Sequence, residues 1–144
     1  ERLARVQKAH PQDASVLTPL ANVYRTLYEE LDGHLPKEER VLFPFVEQME
    51  AAAANRRPGV ALPFGTFQNP IRVMQHEHED AGQALAEIRR LTGDFTVPPH
   101  ACETYRALYA GLQELERDLH QHIHLENNIL FPRALALEAQ QIEK

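Results

Sequence analysis

The feature of this sequence that most constrains its fold is a repeated pair of residues, a histidine followed by a glutamate four positions later. His34 and Glu38 form one pair, and His122 and Glu126 form the other, at an offset of 88 residues (122 minus 34). An aliphatic residue followed by Leu-Phe-Pro comes three positions after each glutamate, at residues 41–44 and 129–132. Leucines recur at the same offset, at positions 20, 27 and 31 and again at 108, 115 and 119. The repeat predicts two related helical halves.

Both pairs are in helical phase with these leucines, so they lie on the inward face of their helices. Buried imidazoles and carboxylates are costly unless they are paired, hydrogen-bonded or bound to a metal ion. Two His–Glu ion pairs that only bridge helices are the structural alternative. Two symmetric pairs, with further histidines in phase on other helices, favour a metal site instead.

The same helical phase separates the remaining histidines into inward-facing and surface positions. His78 lies on an apolar stripe, and His10 is in phase with Leu3 and Val6. Surface positions are predicted for the others: His76, His100, His120 and His124. The candidate ligands are four histidines and two glutamates, namely His10, His34, Glu38, His78, His122 and Glu126.

Helical spacing dominates the chain, and no segment alternates as a strand would. The predicted helices cover about residues 1–9, 13–54, 69–92 and 98–140, with a Pro- and Gly-rich loop at about 55–68. In the second and fourth helices the inward stripe is expected to continue to Val41 and Ile129. We expect an all-α, up-and-down four-helix bundle that forms a single domain over residues 1–144.

The type of metal follows from the ligand atoms. Structural zinc usually takes thiolates, and the only cysteine, Cys102, lies off the stripe. Calcium and magnesium prefer more oxygen ligands. Imidazoles and carboxylates from facing helices suit iron or manganese, and two carboxylates can bridge two ions. The sequence therefore favours a dinuclear iron site.

The composition limits which binding partners and which cellular compartment are expected. The 21 acidic residues outnumber the 15 basic ones, and the net charge is -6 at pH 7, which argues against nucleic acid or an anionic membrane surface as the main partner. No apolar run approaches the ~18 residues of a membrane span. A single cysteine forms no internal disulfide, which fits a reducing compartment. We expect a cytoplasmic protein.

The two His-x-x-x-Glu motifs, the segment around His78 (residues 77–82) and the tract at residues 122–133 resemble one known group. This group is the hemerythrin-like domain of the iron-sulfur cluster repair di-iron proteins, also called the repair of iron centres family. The resemblance covers nearly the whole chain. It implies a non-haem di-iron centre, held by the six candidate ligands and bridged by Glu38 and Glu126.

The resemblance also implies a function, the restoration of iron-sulfur clusters damaged by oxidative or nitrosative stress. The protein would handle nitric oxide or deliver iron, and its partners would be damaged iron-sulfur proteins, with nitric oxide or dioxygen as a small ligand. The family has one more ligand histidine in its first helix, which the repeat places about ten residues before Glu1 (78 minus 88). We therefore expect a truncated first helix, whose exposed apolar face favours a homodimer.

Two other functions stay open at this point. A hemerythrin-type oxygen-binding protein usually has a second histidine four residues after the one on its third helix, where this chain has Gly82. It also usually ends with a histidine and an aspartate five residues apart. A ferritin-like di-iron oxidase would use Glu-x-x-His pairs and more carboxylates. Both patterns match this sequence less well, and whether the protein is an enzyme is not decided by the motifs.

Overall fold

Nearly the whole chain is helical in the computed structural model, as its periodicity predicts. The structure describes residues 1–142, with side chains up to residue 140, and no strand occurs in this range. The all-α prediction is confirmed. The helical segments, which include two short π-helical ones, are α1 (Arg2–Ala9), α2 (Ala14–Lys37), the first π segment (Glu38–Leu42), α3 (Phe43–Ala54), α4 (Gln68–Leu91), α5 (Glu103–Leu125), the second π segment (Glu126–Leu130) and α6 (Phe131–Ile142).

The two long predicted helices are present, but each contains a π segment in its interior. Helix α2 continues through the first π segment into α3, and α5 continues through the second into α6. A π turn holds more residues than an α turn and therefore shifts the phase of the next helical turns. Val41 is 39% exposed and Ile129 is 55% exposed, whereas Leu42 and Phe131 are buried. The expectation that Val41 and Ile129 face the core was wrong, because it assumed a constant α-helical period.

The starts of α4 and α5 differ from the prediction to different degrees. Helix α4 begins at Gln68, one residue before the predicted start, and the Gln68 backbone N–H donates to the Thr66 hydroxyl at 3.2 Å. Helix α5 begins only at Glu103. The residues before it form a turn, closed by a hydrogen bond of 3.0 Å from the Ala101 N–H to the Pro98 carbonyl, so the proline pair precedes the helix and does not start it.

The chain divides into two compact units. The first unit contains residues 1–30 and 80–121, and the second contains residues 31–79 and those from 122 onward. In the second unit α3 packs against α6. Its apolar core consists of Leu42, Val46, Met49, Phe67, Ile71, Met74, Phe131, Ala134 and Leu137.

The loop before α4 is attached to α6 within the second unit. The Glu138 carboxylate accepts hydrogen bonds from the Thr66 hydroxyl at 2.6 Å and from the Phe67 backbone N–H at 2.8 Å. Both donors come just before α4, whose first backbone N–H groups have no partner inside the helix. Glu138 therefore fixes the start of the helix that carries His78.

The first unit contains an ion pair between α4 and α5. Arg89 donates two hydrogen bonds to the carboxylate of the buried Glu116, at 3.0 and 2.6 Å. The guanidinium group also lies 5.1 Å from the centre of the Phe95 ring. The nearby Arg89 lowers the pKa of Glu116, while partial burial acts in the opposite direction.

No helix in the described part of the chain has an apolar stretch long enough to cross a bilayer.

Candidate metal centre

Five acidic and imidazole side chains converge in the second unit. Each offers one ligand atom, and all of these atoms lie within 4.8 Å of one another. Four of the side chains are buried, and the fifth, His122, is 35% exposed. The five residues come from α2, α4, α5 and the two π segments: His34, Glu38, His78, His122 and Glu126.

The two glutamates each face imidazoles from different helices. One oxygen of Glu38 contacts Nε2 of His34, and the other lies 3.3 Å from Nε2 of His122. Oε1 of Glu126 lies 3.0 Å from Nε2 of His78 and 2.7 Å from Nε2 of His122. Each carboxylate thus contacts imidazoles that come from two different helices.

The atoms that face this centre are close together but form no hydrogen bonds. Nε2 of each of the three histidines, one oxygen of Glu38 and both oxygens of Glu126 are buried without a hydrogen-bond partner. Buried polar atoms in native proteins are nearly always satisfied, and each exception needs an explanation. Imidazole nitrogens and carboxylate oxygens that point at one another fit a set of cation ligands. The donor set therefore fits a metal ion.

The outer nitrogens of two of these histidines have partners of their own. Nδ1 of His34 lies 2.5 Å from Oε2 of Glu77, whose other oxygen accepts a hydrogen bond of 2.8 Å from Lys37. Nδ1 of His78 lies 2.9 Å from Oδ1 of Asn127 and donates to it. A carboxylate or amide oxygen behind a histidine fixes the ring tautomer, so that Nε2 is free to bind a metal.

Sequence reasoning missed these two supporting residues. Glu77 directly precedes His78, and Asn127 directly follows Glu126. Each one supports a histidine on another helix, so neither lies in phase with the ligand stripe that guided the prediction. Adjacency to a candidate ligand was the one available signal.

A cleft at the surface of the second unit borders His78, one of the five candidate ligands. The cleft, of about 470 Å³, is lined by Gln75, His78, Glu79, Ile123, Asn127 and Asn128. The His78 ring stacks on Phe131, with ring centres 5.7 Å apart and an interplanar angle of 7°. The cleft is large enough for a small molecule, and the stacking holds the ring in place.

Comparison with known proteins agrees with this geometry. Residues 1–134 match the family described as the Hemerythrin HHE cation binding domain. The chain belongs to this family. The HHE domain is similar to proteins named "Iron-sulfur cluster repair protein YtfE". They come from Edwardsiella ictaluri (47% identity over 131 residues, 91% of this chain and 53% of the relative), Pectobacterium atrosepticum (44% over 131 residues, 91% and 53%) and Citrobacter koseri (42% over 134 residues, 93% and 55%).

These matches confirm the family resemblance and the hemerythrin-like helical fold. The chain spans about half the length of the curated relatives that it matches. The family description speaks of cation binding, and the cluster of histidines and glutamates provides suitable ligands for it.

In the HHE domain's cluster, the pKa values of the two glutamates shift in opposite directions. Burial alone would raise the pKa of Glu38, but contacts with His34 and His78 lower it far below the ordinary value. Burial raises the pKa of Glu126, and the neighbouring Glu38 carboxylate acts in the same direction against the contact with His78. Burial would lower the pKa of His78, but its contacts with Glu126 and Glu38 raise it to about 10. A metal ion would displace the proton from His78.

The structure thus brings together five of the six predicted ligands. His10 is not a member of this cluster, because the structure places it in the first unit, where α1 gives way to a short 3-10 turn. There it groups with Asp13 and His100. The predicted exposure of the remaining histidines is confirmed for all four of them: His76, His100, His120 and His124.

Proposed function

We propose that the HHE domain holds two iron ions in a non-haem di-iron centre bridged by Glu38 and Glu126. The observation that carries this proposal is that each carboxylate contacts imidazoles from two different helices. The five residues offer three imidazole nitrogens and four carboxylate oxygens, which is more than one ion needs. Mixed nitrogen and oxygen donors without sulfur suit iron better than structural zinc.

The residues around the ligands have definable roles in this centre. Glu77 holds the His34 ring and keeps Nε2 directed inward, and Asn127 does the same for His78. The Phe131 ring covers one face of His78 and excludes water from that side. When bound, the two ions supply redox-active positions that can take a diatomic gas.

We further propose that the protein restores iron-sulfur clusters damaged by oxidative or nitrosative stress, either by handling nitric oxide or by delivering iron. The names of its relatives support this function, although the chain matches only about half of their length. The site supports it as well, since the cleft that borders His78 and the partial exposure of His122 bring two candidate ligands close to the surface, where nitric oxide or dioxygen would arrive. Its partners would be damaged iron-sulfur proteins in the cytoplasm.

Elemental analysis of protein purified from iron-replete cells tests the centre. We expect two irons per chain in the wild type and a loss of most of this iron in Glu38→Ala and Glu126→Ala. Glu39→Ala is the matched control, because Glu39 is the next residue but is exposed. Stoichiometric zinc without iron, or equal iron loss in all three variants, would contradict the proposed centre.

Recovery of a damaged enzyme tests the function. Bacteria that lack their own relative of this protein would be treated with nitric oxide, and the return of activity of a [4Fe–4S] dehydratase would be followed over time. We expect the wild type and Glu39→Ala to speed this recovery and Glu38→Ala to have no effect. If Glu38→Ala restored activity as fast as the wild type, the repair function would not depend on the centre.

The two routes to repair differ in what the isolated protein does. Nitric oxide handling predicts that the iron-loaded protein consumes dissolved nitric oxide, measured with an electrode. Iron delivery predicts transfer of isotopically labelled iron to an acceptor protein that lacks its cluster. The route whose assay shows activity in the wild type but none in Glu126→Ala is the one that the centre supports.

A further inference from the structure

In the second unit a lysine contacts the carboxylate that holds one of the candidate ligands. Nδ1 of His34 lies 2.5 Å from Oε2 of Glu77, and the Lys37 ammonium donates to the other oxygen, Oε1, at 2.8 Å. His34 and Lys37 lie in the last turn of α2, and Glu77 lies on α4. A continuous chain of contacts therefore leads from the ammonium group through one carboxylate to the imidazole.

The three side chains reach from the interior of the second unit to the solvent. The side chain of His34 is 5% exposed, that of Glu77 is 24% exposed and that of Lys37 is 51% exposed. A partly buried carboxylate needs an opposite charge or hydrogen-bond donors, and each oxygen of Glu77 has one such partner. The imidazole and the ammonium group therefore share the negative charge of a single carboxylate.

The internal repeat shows that this lysine occurs in only one of its two copies. At the offset of 88 residues, position 37 corresponds to position 125, which is a leucine. Leu125 is 46% exposed, so the second copy has an apolar side chain at the surface where the first has a cation. The two His–Glu pairs therefore lie in different electrostatic surroundings.

We propose that Lys37 is a positioning residue that limits how strongly His34 donates to the metal, and that it acts through Glu77. The proposal rests on the di-iron centre proposed above. A carboxylate that accepts the Nδ1 proton makes the imidazole a stronger donor at Nε2. The ammonium group draws part of the negative charge of Glu77 away from that proton. Because ferric iron carries the higher charge, it gains more than ferrous iron from a strong donor. Lys37 therefore favours the ferrous state.

The reduction potential of the iron-loaded protein tests this role. Lys37→Met removes the charge and keeps most of the side chain, so the ratio of ferric to ferrous affinity should rise by about 3- to 10-fold. This lies at or below the lower end of the effects expected for residues behind a ligand, because Lys37 is half exposed and partly screened. At ~59 mV per tenfold for a one-electron couple, the potential should fall by about 30–60 mV.

Two further variants separate the contact with Glu77 from a general effect of charge. Lys37→Arg keeps a donor for Glu77 and should restore the wild-type potential. Arg40→Met is the matched control, because Arg40 is an exposed cation in the adjacent first π segment, and it should shift the potential less than Lys37→Met does. An unchanged potential in Lys37→Met, or an equal shift in either of the other two variants, would overturn the proposal.

A second measurement needs no iron and so separates this proposal from the proposed function. In metal-free protein with ¹⁵N-labelled histidine, NMR follows the Nδ1 proton of His34, which is buried and is assigned with His34→Gln. Its resonance should move downfield in Lys37→Met, because Glu77 becomes a stronger acceptor, and should stay in place in Lys37→Arg and Arg40→Met. If the protein showed this shift but bound no iron, the proposed centre would fail while the effect of Lys37 on His34 held. If the protein bound two irons and the resonance did not move, the role of Lys37 would be refuted.

Discussion

Glu38 and Glu126 each begin a five-residue π-helical segment, at equivalent positions of the sequence repeat. π segments are rare and occur frequently at functional sites. Here each one starts at a candidate ligand and ends close to the residues that build the apolar core of the second unit. In the second repeat the wider turn lets one continuous helix present Glu126 to the centre and still bury Phe131 five residues later, a position that a regular α-helix would turn about 140° away.

The register set by the first π segment can be tested through stability. Leu42 is fully buried in the apolar core, whereas Val41 is 39% exposed. We expect Leu42→Ala to lower the free energy of unfolding by about 2–5 kcal/mol, because it leaves a cavity. Val41→Ala should change it by about 0.5 kcal/mol or less. Urea denaturation measures both, and a larger loss in Val41→Ala than in Leu42→Ala would mean that the helix is regular at this point.

The support of His34 by Glu77 predicts an effect on metal affinity without loss of a ligand. Glu77→Ala removes the carboxylate that holds Nδ1 of His34, so metal affinity should fall by about 10- to 100-fold. Competition with a chelator of known affinity measures the change. Glu79→Ala is the control, since Glu79 is exposed on the same helix. Equal affinity in the two variants would show that Glu77 does not position His34.

The division between inward and outward histidines predicts which substitutions remove iron. His78→Ala and His122→Ala should lose most of the bound iron, while His76→Ala, His120→Ala and His124→Ala should retain it. Elemental analysis of the five purified variants provides the comparison. If His124→Ala lost iron as completely as His122→Ala, the register of α5 would be off by two residues.

The ion pair in the first unit predicts a pH-dependent contribution to stability. Arg89 lowers the pKa of Glu116 below its unfolded value of 4.5, so the stabilisation is fully present above that pH and is lost as the pH falls through the lower pKa of the folded state. Glu116→Gln should therefore lower the urea midpoint at pH ~7, and its difference from the wild type should shrink below pH ~4.5. Glu114→Gln, an exposed neighbour, should show no such trend, and a difference that grows in acid would reverse the assigned sign.

Much of this arrangement could be predicted from the sequence, because long helices with regular leucines fix their own phase. That phase correctly placed His34, Glu38, His78 and Glu126 inside and left His76 outside. The boundaries of α1 and the end of α3 were also close, since Pro11 and the loop with Pro58 and Gly59 interrupt the helical pattern. The number of irons and the expected homodimer stay predictions.

The features of the structure that were not predicted depend on contacts between helices, which the periodicity of the sequence does not encode. Counting at a constant 3.6 residues per turn cannot show that a helix changes its winding, and so the exposure of Val41 was missed. Helix α1 has only eight residues and two buried side chains, Leu3 and Val6. Such a short helix indicates which face is inward but not which residues it will meet. For this reason the proximity of His10 to Asp13, His100 and Cys102 was not foreseen.

The hydrogen bonds of Glu138 have a consequence for the order in which the chain folds. Glu138 is separated from Phe67 by 71 positions along the chain, yet its carboxylate accepts a hydrogen bond from the Phe67 backbone N–H, just before α4. Contacts between such distant residues form late, because a long loop must close before they can stabilise anything. The beginning of α4 is therefore completed only after α6 has been synthesised and has docked. A cut or truncation that removes α6 would unravel the first turn of a helix far upstream, and with it the segment that leads to His78.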